Sequence, residues 1–202
     1  MYATIHHFRG QPGSQPDDWA AALHHRDVPA YCYTLITLGG LTGMVLACWP
    51  DEARAAAAAA NRPAGHSWLE TGSYRMVDGS RGVAADQLPR FAQVTWFDGP
   101  RSAAQVEADS RAGRDRIWPA IRSLPGIVGH CVLRSSDNAT VVFGFTTSLE
   151  TIESMQQAVM STDLLPGEDP AMLTGPDRID VHRVRYATAP VPVEPVEAGE
   201  RR

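Results

Sequence analysis

The sequence predicts an α+β protein of two successive β-α-β-β-α-β repeats packed sheet to sheet as a pseudo-dimeric barrel within one chain. Three observations carry this. The stretches Tyr2 to Gly10 and Phe91 to Gly99 both read aromatic, Ala, x, Ile/Val, x, x, Phe, x, Gly in one register, the mark of an internal repeat. Each is followed, after a polar interval, by two strand-like runs around a hairpin composition, Gly39-Gly40 in the first half and Asp137-Asn138 in the second. Between helix and strand in the second half stands Leu124-Pro125-Gly126, where proline has no amide proton to continue a helix and glycine accepts the turn that follows.

Taken in order, the first strand is followed by a Pro-rich loop, Gln11 to Pro16, and a short helix from about Asp17 to Arg26. Strands over Tyr31 to Thr37 and Thr42 to Trp49 come next. The alanine run from Glu52 to Asn61 has high helix propensity, and a last strand is expected near Ser73 to Val77. In the second half, Ser102 with Gln105 three residues on has capping-box spacing. Ile117, Ile121 and Leu124 then share one helical face. Strands over His130 to Arg134 and Thr140 to Thr146 lead to a helix over Leu149 to Met160, with a capping box read at Thr147 to Glu150, and a final strand over Ile179 to Tyr186. Cys32 and Cys131 fall at equivalent places in this alignment.

These boundaries give a ferredoxin-like repeat over residues 1–78, a linker over 79–90, a second repeat over 91–188 and an unstructured, proline-interrupted tail over 189–202. The loop from Ser161 to Asp177 has no counterpart in the first half and is either a lid or a surface insertion. Since both repeats are present, a monomer suffices to close the barrel, and further dimerisation stays open.

Composition narrows the partners. With 44% hydrophobic and 20% charged residues the chain can bury a core. Its net charge of -5, with eighteen scattered basic residues, argues against nucleic acid. No run approaches the roughly 20 apolar residues of a membrane span and no secretory leader is evident, so the expected location is cytoplasmic. Three cysteines without a CxxC pair indicate buried thiols rather than disulfides or a zinc site. No GxGxxG, P-loop, GxSxG or HExxH motif occurs.

The run Phe-Ala-Gln-Val-Thr-Trp-Phe-Asp-Gly from Phe91, then Ile117-Trp-Pro-Ala-Ile-Arg-Ser-Leu-Pro-Gly, then a hairpin and a second helix, resembles the antibiotic biosynthesis monooxygenase group of the dimeric α+β barrel superfamily. The resemblance implies a small-molecule pocket between sheet and helices, with a strand-one asparagine and a second-helix tryptophan. Neither is matched: the first strands carry His6, His7, Thr95 and Trp96, and neither second helix contains tryptophan. No cofactor is therefore expected, and haem degradation is disfavoured.

Side chains alternate along a strand, so Ala3, Ile5 and His7 share one face, as do Ala92, Val94 and Trp96. This face is expected to pack under the helices, leaving His7 and Trp96 at the mouths of the two helix-sheet clefts. His7 is the candidate general base toward a phenol or enol. Trp96, Trp118 and His182 are candidate pocket residues, Trp118 being either a wall for a flat ligand or plain core. His6 and His7 point to opposite faces and His24-His25 diverge on a helix, so neither pair chelates a metal unaided. Two readings follow: a cofactor-independent monooxygenase-like enzyme acting on an aromatic or polyketide-like molecule, or a non-catalytic ligand-binding or interaction protein of the same barrel fold.

Overall fold

A computed structural model describes residues 1–9, 28–40, 42–61 and 67–192. The helix expected over Asp17 to Arg26, its preceding loop and His24-His25 lie outside the described residues.

Eight strands, β1 (Tyr2–Arg9), β2 (Tyr31–Thr37), β3 (Thr42–Trp49), β4 (Ser67–Arg81), β5 (Phe91–Phe97), β6 (Ile127–Arg134), β7 (Thr140–Thr146) and β8 (Arg178–Ala187), close into one antiparallel barrel. Their order is β1-β3-β2-β8-β5-β7-β6-β4. Each half therefore has the same arrangement, β4-β1-β3-β2 and β8-β5-β7-β6, and the halves join edge to edge at β2–β8 and β4–β6. Pairing both seams satisfies the backbone groups that open edges would expose, and it does so within one chain.

The helices among the described residues are α1 (Glu52–Ala60), α2 (Ala103–Ala112), α3 (Trp118–Ile121) and α4 (Leu149–Met160). Asp51 caps α1 by accepting from the Arg54 amide, and Ser102 and Gln105 form the expected capping box at α2. At α4 the cap is Ser148, one residue later than read, because its hydroxyl reaches the Thr151 amide. A π-helical turn, Gly113–Ile117, joins α2 to α3. Pro119 has no amide to offer the Asp115 carbonyl, and the Trp118 amide bonds the Gly113 carbonyl across a wider loop. Gly126 adopts φ +86°, and a Cβ there would collide with the Thr151 hydroxyl, so the turn after Pro125 requires glycine.

Two buried layers result. The barrel lumen holds Ala3, Ile5, Tyr33, Leu35, Met44, Leu46 and Cys48 from the first half with Ala92, Val94, Trp96, Cys131, Leu133, Phe143 and Phe145 from the second. Tyr33 and Phe145 meet across it with ring centroids 4.9 Å apart. Outside the barrel, α1 packs on Ala47 and Trp49, while α3 and α4 pack on Phe91, Ile127 and Val181 through Ile121, Ile152 and Met155.

Four expectations are corrected. The face carrying Ala3, Ile5, Ala92, Val94 and Trp96 lines the lumen rather than packing under helices. Both sheet faces are buried here, and alternation alone does not say which cover lies on which side. Second, β4 runs far beyond Ser73 to Val77, because residues 67–75 pair with β1 and residues 75–81 with β6. Part of the expected linker, Gly79 to Arg81, is thus strand. Third, residues 189–192 are not an unstructured tail: Val191 is 2% exposed and packs over Gly129. Proline prevents a ladder there but not apolar docking. Fourth, Cys131 matches Tyr33, not Cys32, when the halves are aligned by register, since Tyr33 pairs with Leu46 and Cys131 with Phe143. That one-residue slip turns Cys32 away from the lumen and Cys131 into it.

Candidate functional site

The strand registers bring three of the sequence-predicted residues together at one end of the barrel. Residues directly opposite on neighbouring strands share a face, so the pairing of Ala92 with His182, Val94 with Asp180 and Trp96 with Arg178 points all three β8 side chains into the lumen. On the other side His7 pairs with Glu70. His7 from the first half and Trp96 from the second then meet with ring centroids 5.5 Å apart and planes tilted by 38°.

The cluster is polar but ordered. The Trp96 indole N–H donates to Asp180 Oδ2 at 3.0 Å, and Arg178 Nε forms an ion pair with the same oxygen at 2.9 Å. The Arg178 guanidinium lies 4.6 Å from the Trp96 ring centroid, a cation–π arrangement. Arg178 is about half exposed, so this end of the lumen opens to solvent, whereas His182 is 2% exposed.

Burial governs the two imidazoles. It holds His7 below the ordinary histidine value, against the upward pull of Glu70 and Asp180 and with help from Arg178. It pushes His182 down to about 4, with His7 and Arg178 adding to the effect and Asp180 opposing it. Both rings are neutral near pH 7 and each can accept a proton. His182 Nδ1 is buried without a hydrogen-bond partner, as is the Tyr33 hydroxyl deeper in the lumen. Buried polar atoms left in this way are uncommon and costly unless something else engages them.

Trp118 does not join this group. It sits on the helix side, packed with Ile117, Ile121 and Leu124, and its ring lies 4.4 Å from that of His130. His130 Nε2 is 3.7 Å from Asp78 Oδ2, an approach that, more than any other influence, holds the Asp78 carboxyl below its usual range. Sequence reasoning missed this Asp–His–Trp group because Asp78 fell at the edge of the expected linker. It also missed Glu70 and Arg178, which stand opposite His7 and Trp96 near the starts of β4 and β8. Extending the last strand of each half until its pairing with the first was complete would have found both.

The Ser161 to Asp177 loop is tied down. Arg116, in the π turn, donates from Nε to Glu168 Oε2 at 2.9 Å and from Nη1 to Thr162, and Arg111 reaches the Pro166 carbonyl. Glu168 is 2% exposed at its side chain. Among the described residues no group of three or more histidine, cysteine or acidic side chains is arranged to hold a metal ion. Nor is any helix among them long and apolar enough to cross a membrane.

The architecture, an antiparallel barrel of two ferredoxin-like halves with helices outside, is that of proteins related to antibiotic biosynthesis monooxygenases. Among solved structures, the chain is similar to an anthrone oxidase-like protein, with a TM-score of 0.61 at 10% identity over 94% of this chain and 93% of the other. It is similar to a proposed monooxygenase from Lactobacillus acidophilus, with a TM-score of 0.58 at 10% identity over 94% and 95%. It also matches an uncharacterized ferredoxin-fold protein related to antibiotic biosynthesis monooxygenases from Listeria monocytogenes, with a TM-score of 0.54 at 7% identity over 91% and 95%. No protein-family model matches the sequence, and no curated protein does. At such identities the likeness concerns the fold.

Proposed function

We propose that the protein is a cytoplasmic, cofactor-independent monooxygenase-like enzyme that oxidises an electron-rich aromatic or polyketide-like molecule at the His7–Trp96 end of the barrel. The observation that carries this reading is the 5.5 Å contact of His7 with Trp96, one from each half, which joins a neutral base to a flat aromatic surface. The fold shared with an anthrone oxidase-like protein and a proposed monooxygenase supports the reaction class.

In this reading a phenol or enol lies against Trp96 and gives its proton to the His7 imidazole. The resulting anion reduces molecular oxygen and forms a carbon–oxygen bond as a peroxide. The same carbon then loses its hydrogen as the O–O bond breaks, leaving one oxygen as a carbonyl; the other oxygen leaves as water with that proton and the one held by His7, so dioxygen is the oxidant and no added reductant is consumed. His182, neutral and unpartnered at Nδ1, is the group that accepts a hydrogen bond from the ligand within the lumen.

The second reading is a ligand-binding protein without turnover. It is favoured by the engagement of the Trp96 indole N–H and of Arg178 Nε by Asp180, which ties up the one indole donor at this end of the lumen. Oxygen uptake with a dihydroxynaphthalene separates the two. The enzyme reading predicts uptake by the wild-type chain that falls about a hundredfold in His7→Ala, in the range typical of a lost general base. Unchanged uptake in both His7→Ala and Trp96→Ala would make this site wrong, while wild-type binding without uptake would leave the second reading.

A further inference from the structure

On the outer surface, β4 and β6 place two arginines directly opposite each other: Arg75 is the register partner of Arg134. Like charges in this position repel, and a strand pair does not ordinarily adopt it without compensation. The two side chains open onto a cleft of about 480 Å³ between α1 and the β6–β7 turn, whose lining also includes Ser73, Ser136, Tyr2 and Glu52.

Glu107 and Asp109 oppose the repulsion at Arg134 only at a distance, without pairing with it. Among the described residues neither Arg75 nor Arg134 forms an ion pair. Asp109 is committed to Arg101 at 2.8 Å, and Glu52, at the opposite lip, pairs with neither guanidinium. Arg134 donates one Nη2 bond to the Ser110 hydroxyl at 3.0 Å, but its Nε–H is buried and has no acceptor. A guanidinium edge with a free Nε–H beside a second guanidinium is the geometry that receives two oxygens of one anion. The serine and tyrosine hydroxyls supply further neutral donors.

We propose that Arg75 and Arg134 form a binding site for an oxyanion, the carboxylate or phosphate group of a small molecule. The site lies outside the lumen and stands whether or not His7 acts on anything. Burial and the charge of Arg75 hold the Arg134 guanidinium below its usual range, with Glu107 and Asp109 opposing, and a bound anion would relieve both effects.

The test uses the full chain and two probes, inorganic phosphate and benzoate, each titrated at constant ionic strength against chloride while thermal unfolding is followed. The proposal predicts a saturable rise in the unfolding temperature with at least one probe. The affinity should fall about tenfold or more in Arg75→Gln, as for loss of a charge-assisted bond, and be unchanged in Arg122→Gln, an exposed arginine elsewhere. Arg75 is exposed, so its variant retains the fold, whereas Arg134→Gln serves only if it folds. A response to phosphate alone identifies a phosphate site, and one to benzoate alone a carboxylate site. No saturable response to either, or an equal response in Arg75→Gln, overturns the proposal.

Discussion

His7 and Trp96 occupy the same position in the two halves of the chain, five residues into β1 and β5, and touch across the barrel with ring centroids 5.5 Å apart. Their strand partners are likewise equivalent and of opposite charge, Glu70 beside His7 and Arg178 beside Trp96. A symmetric framework thus presents an asymmetric cluster. The half carrying histidine brings an imidazole and a carboxylate, and the half carrying tryptophan an indole and a guanidinium.

Trp96 should be a structural keystone of this end. Trp96→Phe keeps an aromatic ring but removes the indole donor and leaves Asp180 with Arg178 alone. A loss of about 1.5–3 kcal/mol is expected in denaturant titration, from one hydrogen bond to a charged acceptor. Trp96→Ala should cost about 3–5 kcal/mol as a core truncation.

The folding stability should depend on pH through His182. Its folded value is about 4, below the unfolded value near 6.5, so the unfolded chain binds a proton first as pH falls. The contribution is fully present above about 6.5 and is lost between 6.5 and 4, with His7 adding in the same direction. A loss of about 3 kcal/mol over that window is expected from His182 alone, and His182→Gln should flatten the profile. Denaturant midpoints from pH 7 to pH 4 measure it.

The three thiols should be inert in the folded protein. All are buried, and desolvation pushes Cys32 up to about 12 and Cys48 and Cys131 well above the usual thiol range. A thiol reagent near neutral pH should titrate none in the native chain and all three after denaturation. Fast reaction of any one without unfolding would contradict the burial.

Cutting the Arg116–Glu168 pair should loosen the Ser161 to Asp177 loop without opening the barrel. Arg116→Ala leaves a nearly buried carboxylate uncompensated, a change that costs about 3–5 kcal/mol when fully expressed. Hydrogen exchange should rise in residues 161–177 and stay slow in β5 and β7.

Much of the fold was legible in the sequence, and the reasons are local. β2, β3, β7 and α4 have the limits expected from their hairpin residues and apolar periods. Gly126, Pro125 and the Ser102–Gln105 box act through backbone conformation and orphan amides, which a short window contains. What was not legible depends on long-range pairing. The length of β4 is set by two partners, one from each half, and the face of Trp96 by what covers the sheet. Of the candidate residues, His7 and Trp96 were expected at the mouths of two separate helix-sheet clefts; strand parity put each on the right side of its own strand but did not say that both faces, with His182, turn into one lumen. Trp118 lies elsewhere because its own helix, not β5, fixes its position.

The most direct test is a nuclear magnetic resonance titration of the histidine side chains with a dihydroxynaphthalene under anaerobic conditions, where binding is observed without turnover. The account predicts saturable shifts of the His7 and His182 resonances, lost in Trp96→Ala, with His130 unaffected. Shifts confined to His130, or none at His7, would contradict a site at the His7–Trp96 end of the barrel.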